Sequence, residues 1–226
     1  MDYNTATVTR TPGISIEINK VLKNTYLLLS ATLIFSAVMA GVSISNGSSM
    51  INPFVWLAVV FGLLFAINRT SESPVGLALT FVFTGWMGYW LGPIISMYIA
   101  MSGGSQIVMQ ALGGTGLIFF ALSGYVLTTR KDFSFMRGFL FAGLMVLFFG
   151  SLFYLLANYL FGFYVSGLSL AISGGAVLLF SGFILYDTSS ILRGEQTNYI
   201  MATVSMYLNI YNIFIHLLHL LSAFDD

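Results

Sequence analysis

Seven stretches of about twenty mostly apolar residues follow one another along the chain, and a helix needs about 20 such residues to cross the ~30 Å hydrocarbon core of a bilayer. They cover residues 25–45, 51–68, 75–100, 106–129, 138–156, 165–192 and 199–221. Turn and cap chemistry separates most of them: Asn46-Gly47-Ser48-Ser49, Thr70-Ser71-Glu72-Ser73-Pro74, Ser102-Gly103-Gly104-Ser105, the charged stretch 130–137, and Arg193-Gly194-Glu195-Gln196-Thr197-Asn198. The joint at 157–164 is aromatic and uncharged. Tyr154, Tyr159 and Tyr164 there suit a membrane interface. Barrel strands need short alternating segments, and runs such as 139–149 and 213–221 do not alternate. The expected fold class is therefore all-α: a polytopic membrane protein built as a seven-transmembrane-helix bundle.

Composition closes the alternatives. Only 7% of the 226 residues are charged and 58% are hydrophobic, against about 25% charged in a soluble domain. A water-facing surface cannot be covered on that allowance. Net charge is zero, so there is no basic excess for nucleic acid, and the absence of cysteine removes disulfides and thiolate metal sites.

Charge placement gives the orientation. All eight basic residues (Arg10, Lys20, Lys23, Arg69, Arg130, Lys131, Arg137 and Arg193) fall in the N-terminal segment or in the second–third, fourth–fifth and sixth–seventh joints. The positive-inside rule then puts the N-terminus in the cytoplasm and the C-terminus, with Asp225 and Asp226, outside. Residues 1–24 read as a polar cytoplasmic tail and residues 25–226 as the membrane domain. The first apolar run continues past the length of a signal-peptide core, so it reads as a retained span. No internal repeat is visible, which argues against an inverted-repeat transporter.

Span seven carries a polar stripe. Ser205, Asn209, Asn212, His216 and His219 are spaced 4, 3, 4 and 3 residues apart, which puts them on one helical face; Asn198 extends the line by a heptad. Polar groups facing lipid are costly, so the stripe should face the interior and span seven should be central. It serves either interhelical hydrogen bonding or a solvated proton or cation path. His216 and His219 offer two nitrogens, but no third metal ligand is evident. Asp187 is the one acid inside an apolar span, a candidate proton or cation site. Arg69 is a possible partner; snorkelling to the boundary or pairing with Arg193 is the structural alternative.

Gly88 and Gly92, and likewise Gly167, Ala171 and Gly175, recur every four residues and suit close helix packing. Pro93 should kink span three. The three lysines lie outside the spans, which excludes a retinal Schiff base. No phosphate-binding loop, nucleophile elbow or His-Glu-x-x-His is present, so no enzyme chemistry and no cofactor is expected.

Three stretches resemble the transmembrane BAX inhibitor motif family: Phe83-Thr84-Gly85 leading to Leu91-Gly92-Pro93; Ala111-Leu112-Gly113-Gly114-Thr115 running on to Tyr125 and Arg130-Lys131; and Tyr186-Asp187-Thr188 followed by Thr197-Asn198-Tyr199-Ile200. A closer likeness to the bacterial YccA branch lies in Asn19-Lys20-Val21-Leu22-Lys23-Asn24-Thr25-Tyr26, in Ala202-Thr203-Val204-Ser205-Met206-Tyr207 and in Tyr211-Asn212-Ile213-Phe214. The resemblance runs from about Asn19 onward. It implies seven helices with the last one central, and one of two activities. The first is modulation of the membrane-bound protease FtsH in the inner membrane, as a substrate-like inhibitor that is poorly extracted, with the tail as handle. The second is a pH-sensitive calcium leak gated by two aspartates. Asp187 matches the first aspartate and Asn209 stands at the second. One carboxylate and one amide hold half the formal charge of the pair, which makes the leak the weaker implication.

Overall fold

The computed structural model describes residues 12–162 and 166–224. Among them are seven helices: α1 (Pro12–Ser45), α2 (Pro53–Thr70), α3 (Pro74–Ile99), α4 (Gly104–Thr129), α5 (Arg137–Phe161), α6 (Ser166–Arg193) and α7 (Tyr199–Phe224). All seven are long and apolar enough to span a bilayer, and no strand occurs among the described residues. Local chemistry sets their ends. Pro53 and Pro74 open α2 and α3, and the Asn52 side chain caps the Phe54 amide at 2.9 Å. Gly162 and Gly194 adopt positive φ where α5 and α6 stop.

Helix α1 starts earlier than the apolar run. The sequence reads 1–24 as a tail, yet the helix extends back to Pro12. The reason is periodic: Val21 and Leu22 pack against the core, while Glu17, Lys20 and Lys23 point outward. The rest of that segment, residues 1–11 with Arg10, lies outside the described residues. So do Tyr164, the first residue of the expected span at 165–192, and the final Asp225-Asp226.

Helix α7 occupies the centre. It packs against α1, α3, α4 and α6, whereas α2 rests on α3 and α5 on α6. Eleven of its residues are buried, from Ile200 to Leu218. Helices α2 and α5 present Phe61, Phe65, Phe139, Phe149 and Phe153 outward, an apolar exterior that suits lipid.

Close approach of α1 and α3 depends on glycine. A Cβ at Gly88 would lie 2.1 Å from the Ser36 carbonyl oxygen, and one at Gly92 would lie 2.4 Å from Ser43 Oγ. The repeat in α6 does not act this way: Gly167 faces open space and Gly175 meets only a Leu147 methyl at 3.7 Å. Helix α3 is continuous through Pro93.

The joints that carry basic residues gather at one end of the bundle. Asn198 Nδ2 donates to the Ser71 carbonyl at 3.1 Å, tying the α6–α7 joint to the α2–α3 joint. Arg193 pairs with Asp132 at 2.5 Å and Glu195 at 2.8 Å, tying α6 to the α4–α5 joint. Gly194 sits against Ile18 of α1. Every described basic residue belongs to these segments, and we call this the basic end.

Candidate functional site

Asp187 lies six residues before the end of α6 and faces α7. Its Oδ2 accepts hydrogen bonds from Ser205 Oγ at 2.6 Å and from Asn209 Nδ2 at 2.8 Å. Ser205 and Asn209 are one helical turn apart, so a single α7 face supplies both donors. Asn209 is buried and Asp187 is half-buried. No ion pair to Asp187 occurs among the described residues.

A cavity of about 260 Å³ adjoins the carboxylate. Tyr186, Ser190, Ser205, Gln196, Arg137 and Glu195 are among its lining residues. It connects the acid toward the basic end, where Glu195 and Arg137 are exposed.

Neither expected cation reaches Asp187. Arg69 is exposed on α2, its guanidinium carbon 5.3 Å from the Phe65 ring centroid. Helix α2 packs on α3, not on α6, so the shared end of the bundle did not bring the two side chains together. Arg193 is taken up by Asp132 and Glu195, and it also donates to Ser189 Oγ. The same Ser189 hydroxyl accepts from the Phe133 amide at 3.1 Å and donates to the Lys131 carbonyl at 3.2 Å. Outside the spans, the Ser134 amide holds the Asp132 carboxyl below its usual range. Hydrogen bonding from Arg193 does the same for Glu195. Arg137, the cation that does line the cavity, carries no sequence signal beyond its place in a charged joint.

The remaining stripe residues separate into different roles. Asn198 is not part of the helical face. It precedes α7 and caps it, its Oδ1 accepting from the Ile200 and Met201 amides, both at 3.0 Å. Asn212 Nδ2 donates to the Leu208 carbonyl of its own helix at 2.7 Å. His216 and His219 both turn their Nδ1 toward Ser173 Oγ of α6, at 3.1 and 2.9 Å. No group of three or more metal-ligating side chains occurs among the described residues.

Two further buried hydroxyl contacts had no sequence signal. Tyr207 OH meets Ser36 Oγ at 2.7 Å and donates to the Thr84 carbonyl at 3.3 Å, joining α7, α1 and α3. Tyr26 OH bonds Ser123 Oγ, which approaches Thr188 Oγ1 at 3.5 Å.

Comparison with known proteins identifies relatives. The family model described as "Inhibitor of apoptosis-promoting Bax1" matches residues 18–226. A membrane protein of Vibrio cholerae is 49% identical over 226 residues, covering 99% of each chain. The protein of Escherichia coli K12 named "Modulator of FtsH protease YccA" is 46% identical over 205 residues, covering 90% of each chain. A Campylobacter jejuni protein is 36% identical over 218 residues, covering 94% of this chain and 92% of its own. With a match that spans all seven helices, this chain belongs to the Bax1 inhibitor family of multi-pass membrane proteins.

Proposed function

We propose that this protein resides in the bacterial inner membrane and modulates a membrane-bound ATP-dependent protease of the FtsH class, as a substrate-like partner that resists extraction. The observation that carries this reading is the 46% identity, across 90% of each chain, to the E. coli protein named a modulator of FtsH protease. The collection of every described basic residue at one end supports a cytoplasmic N-terminus, with the opposite end facing outward.

The packing supports a role in resisting extraction. A protease pulling from the N-terminal side draws on α1 first. That helix is held to α3 where Gly88 and Gly92 admit backbone contact, and to α7 through Ser36–Tyr207 and the Thr203 hydroxyl on the Thr25 carbonyl at 3.3 Å. These groups are buried, and separating them leaves polar atoms without partners in an apolar medium. A cation leak worked by two carboxylates is less well supported, since Asn209 stands where the family resemblance would put the second acid.

The test is affinity capture of an FtsH-type protease from solubilised membranes by the tagged chain, with and without residues 2–11. Capture by the full chain and weaker capture by the truncated one is the expected outcome. Absence of capture by the full chain overturns the reading. Equal capture by both leaves modulation standing and removes the N-terminal segment as the handle.

A further inference from the structure

At the end of α7 remote from Asp187, two imidazoles converge on one hydroxyl. Ser173 Oγ has His219 Nδ1 at 2.9 Å and His216 Nδ1 at 3.1 Å, and no other hydrogen-bond partner among the described residues. Ser173 is buried, and both rings are half-buried. A serine hydroxyl has one hydrogen to donate and lone pairs to accept with. When the rings are neutral, one arrangement satisfies both contacts and leaves no polar hydrogen unpaired, since two histidine donors would strand the buried hydroxyl hydrogen. Ser173 donates to the Nδ1 of one histidine, and the other histidine donates its Nδ1–H to Ser173. The two rings must hold opposite tautomers, and each bond helps fix the direction of the other.

The surroundings decide what an added proton does. The described acids, Glu17, Glu72, Asp132, Asp187 and Glu195, all lie toward the basic end, as do the described lysines and arginines. The titratable groups on the remote half of the packed helices are phenols: Tyr89 and Tyr98 on α3, and Tyr154 and Tyr159 on α5, which packs on α6. Helices α1 and α4 contribute none there, and Asp225 and Asp226 follow α7 outside the described residues. An imidazolium formed between α6 and α7 thus has no described carboxylate to neutralise it, and a buried charge without a partner is costly. Admitting water between the helices relieves that cost.

We propose that His216, Ser173 and His219 form a proton-operated latch between α6 and α7. Neutral, it holds the two helices through a shared hydroxyl; on taking a proton from the aqueous phase at that end, it opens. The group is separate from the Asp187 site and does not depend on protease modulation.

The experiment is NMR on the full chain in detergent micelles with ¹⁵N-labelled histidine, which gives an unambiguous spectrum because the chain has two histidines. At pH 8, one ring is expected to show Nδ1–H and the other Nε2–H. The same tautomer on both overturns the proposal. Amide exchange along α6 supplies the second readout. Protection around Ser173 should fall at least tenfold between pH 8 and pH 4, after correction for intrinsic exchange. In the His216→Gln/His219→Gln variant it should change much less. An equal fall in parent and variant overturns the latch, and so does no fall in the parent. Ser173→Ala keeps both rings and provides a milder variant if the double one does not fold; its α6 protection at pH 8 should already lie near the parent's value at pH 4, and protection equal to the parent's at pH 8 overturns the latch.

Discussion

Asn209 of α7 donates a 2.8 Å hydrogen bond to the carboxylate of Asp187 on α6, and Ser205, one turn away, donates a second to the same oxygen. The acid in the bundle interior is thus held by neutral donors. Replacing Asn209 by Asp sets two carboxylates against each other, which cannot both ionise at that separation without a proton or cation between them. Asn209→Asp should lose stability relative to the parent at pH 8 and recover it at pH 5, read as thermal unfolding in detergent. The same deficit at both pH values contradicts the contact.

Gly88 is where α1 and α3 touch through backbone. Gly88→Ala forces its methyl onto the Ser36 carbonyl and should cost about 1–3 kcal/mol, the range for overpacking a tight contact. Gly113→Ala, which adds a methyl in open space, should be neutral. Parallel unfolding curves for the two variants distinguish helix contact from a general intolerance of substitution.

Asn198 caps α7 and reaches the Ser71 carbonyl. Asn198→Ala should cost about 1 kcal/mol, typical of a lost helix cap. It should also raise amide exchange at Ile200 and Met201 while leaving the remote end of α7 unchanged. Uniform exchange along α7 speaks against a capping role.

Arg193 binds Asp132 and Glu195, two exposed acids whose carboxyls lie below their usual range. A group depressed in the folded state contributes stability above its unfolded pKa and loses it as pH falls through its folded pKa. The tie between α6 and the α4–α5 joint should therefore persist at neutral pH and be lost in acid below the ordinary carboxylate range. Arg193→Gln should reduce that acid dependence to the part that the Ser134 amide holds on Asp132. Proteolysis of the 130–137 joint as a function of pH reports it.

Much of this fold is legible in the sequence. Helix number follows from run length, because the bilayer sets a threshold that polar joints interrupt. Asp187, Ser205 and Asn209 stood out because a polar group in an apolar run needs a reason. What failed depended on packing register. Arg69 shares the basic end with Asp187, yet α2 sits outside α3, and no spacing within a helix encodes which neighbour it meets. Ser173 is one serine among several in α6 and gains its role only from the two histidines opposite. The helical start at Pro12 does not show in apolar run length, although Ile18, Val21 and Leu22 carry the helical period.

The proposed role of this chain is restraint of a membrane-bound protease. The most direct measurement is the rate at which a purified FtsH-type protease degrades a membrane substrate in proteoliposomes, with this protein titrated in. A dose-dependent fall in rate at constant ATP is expected, with the added chain itself degraded slowly. A substrate rate that stays constant across the titration contradicts it.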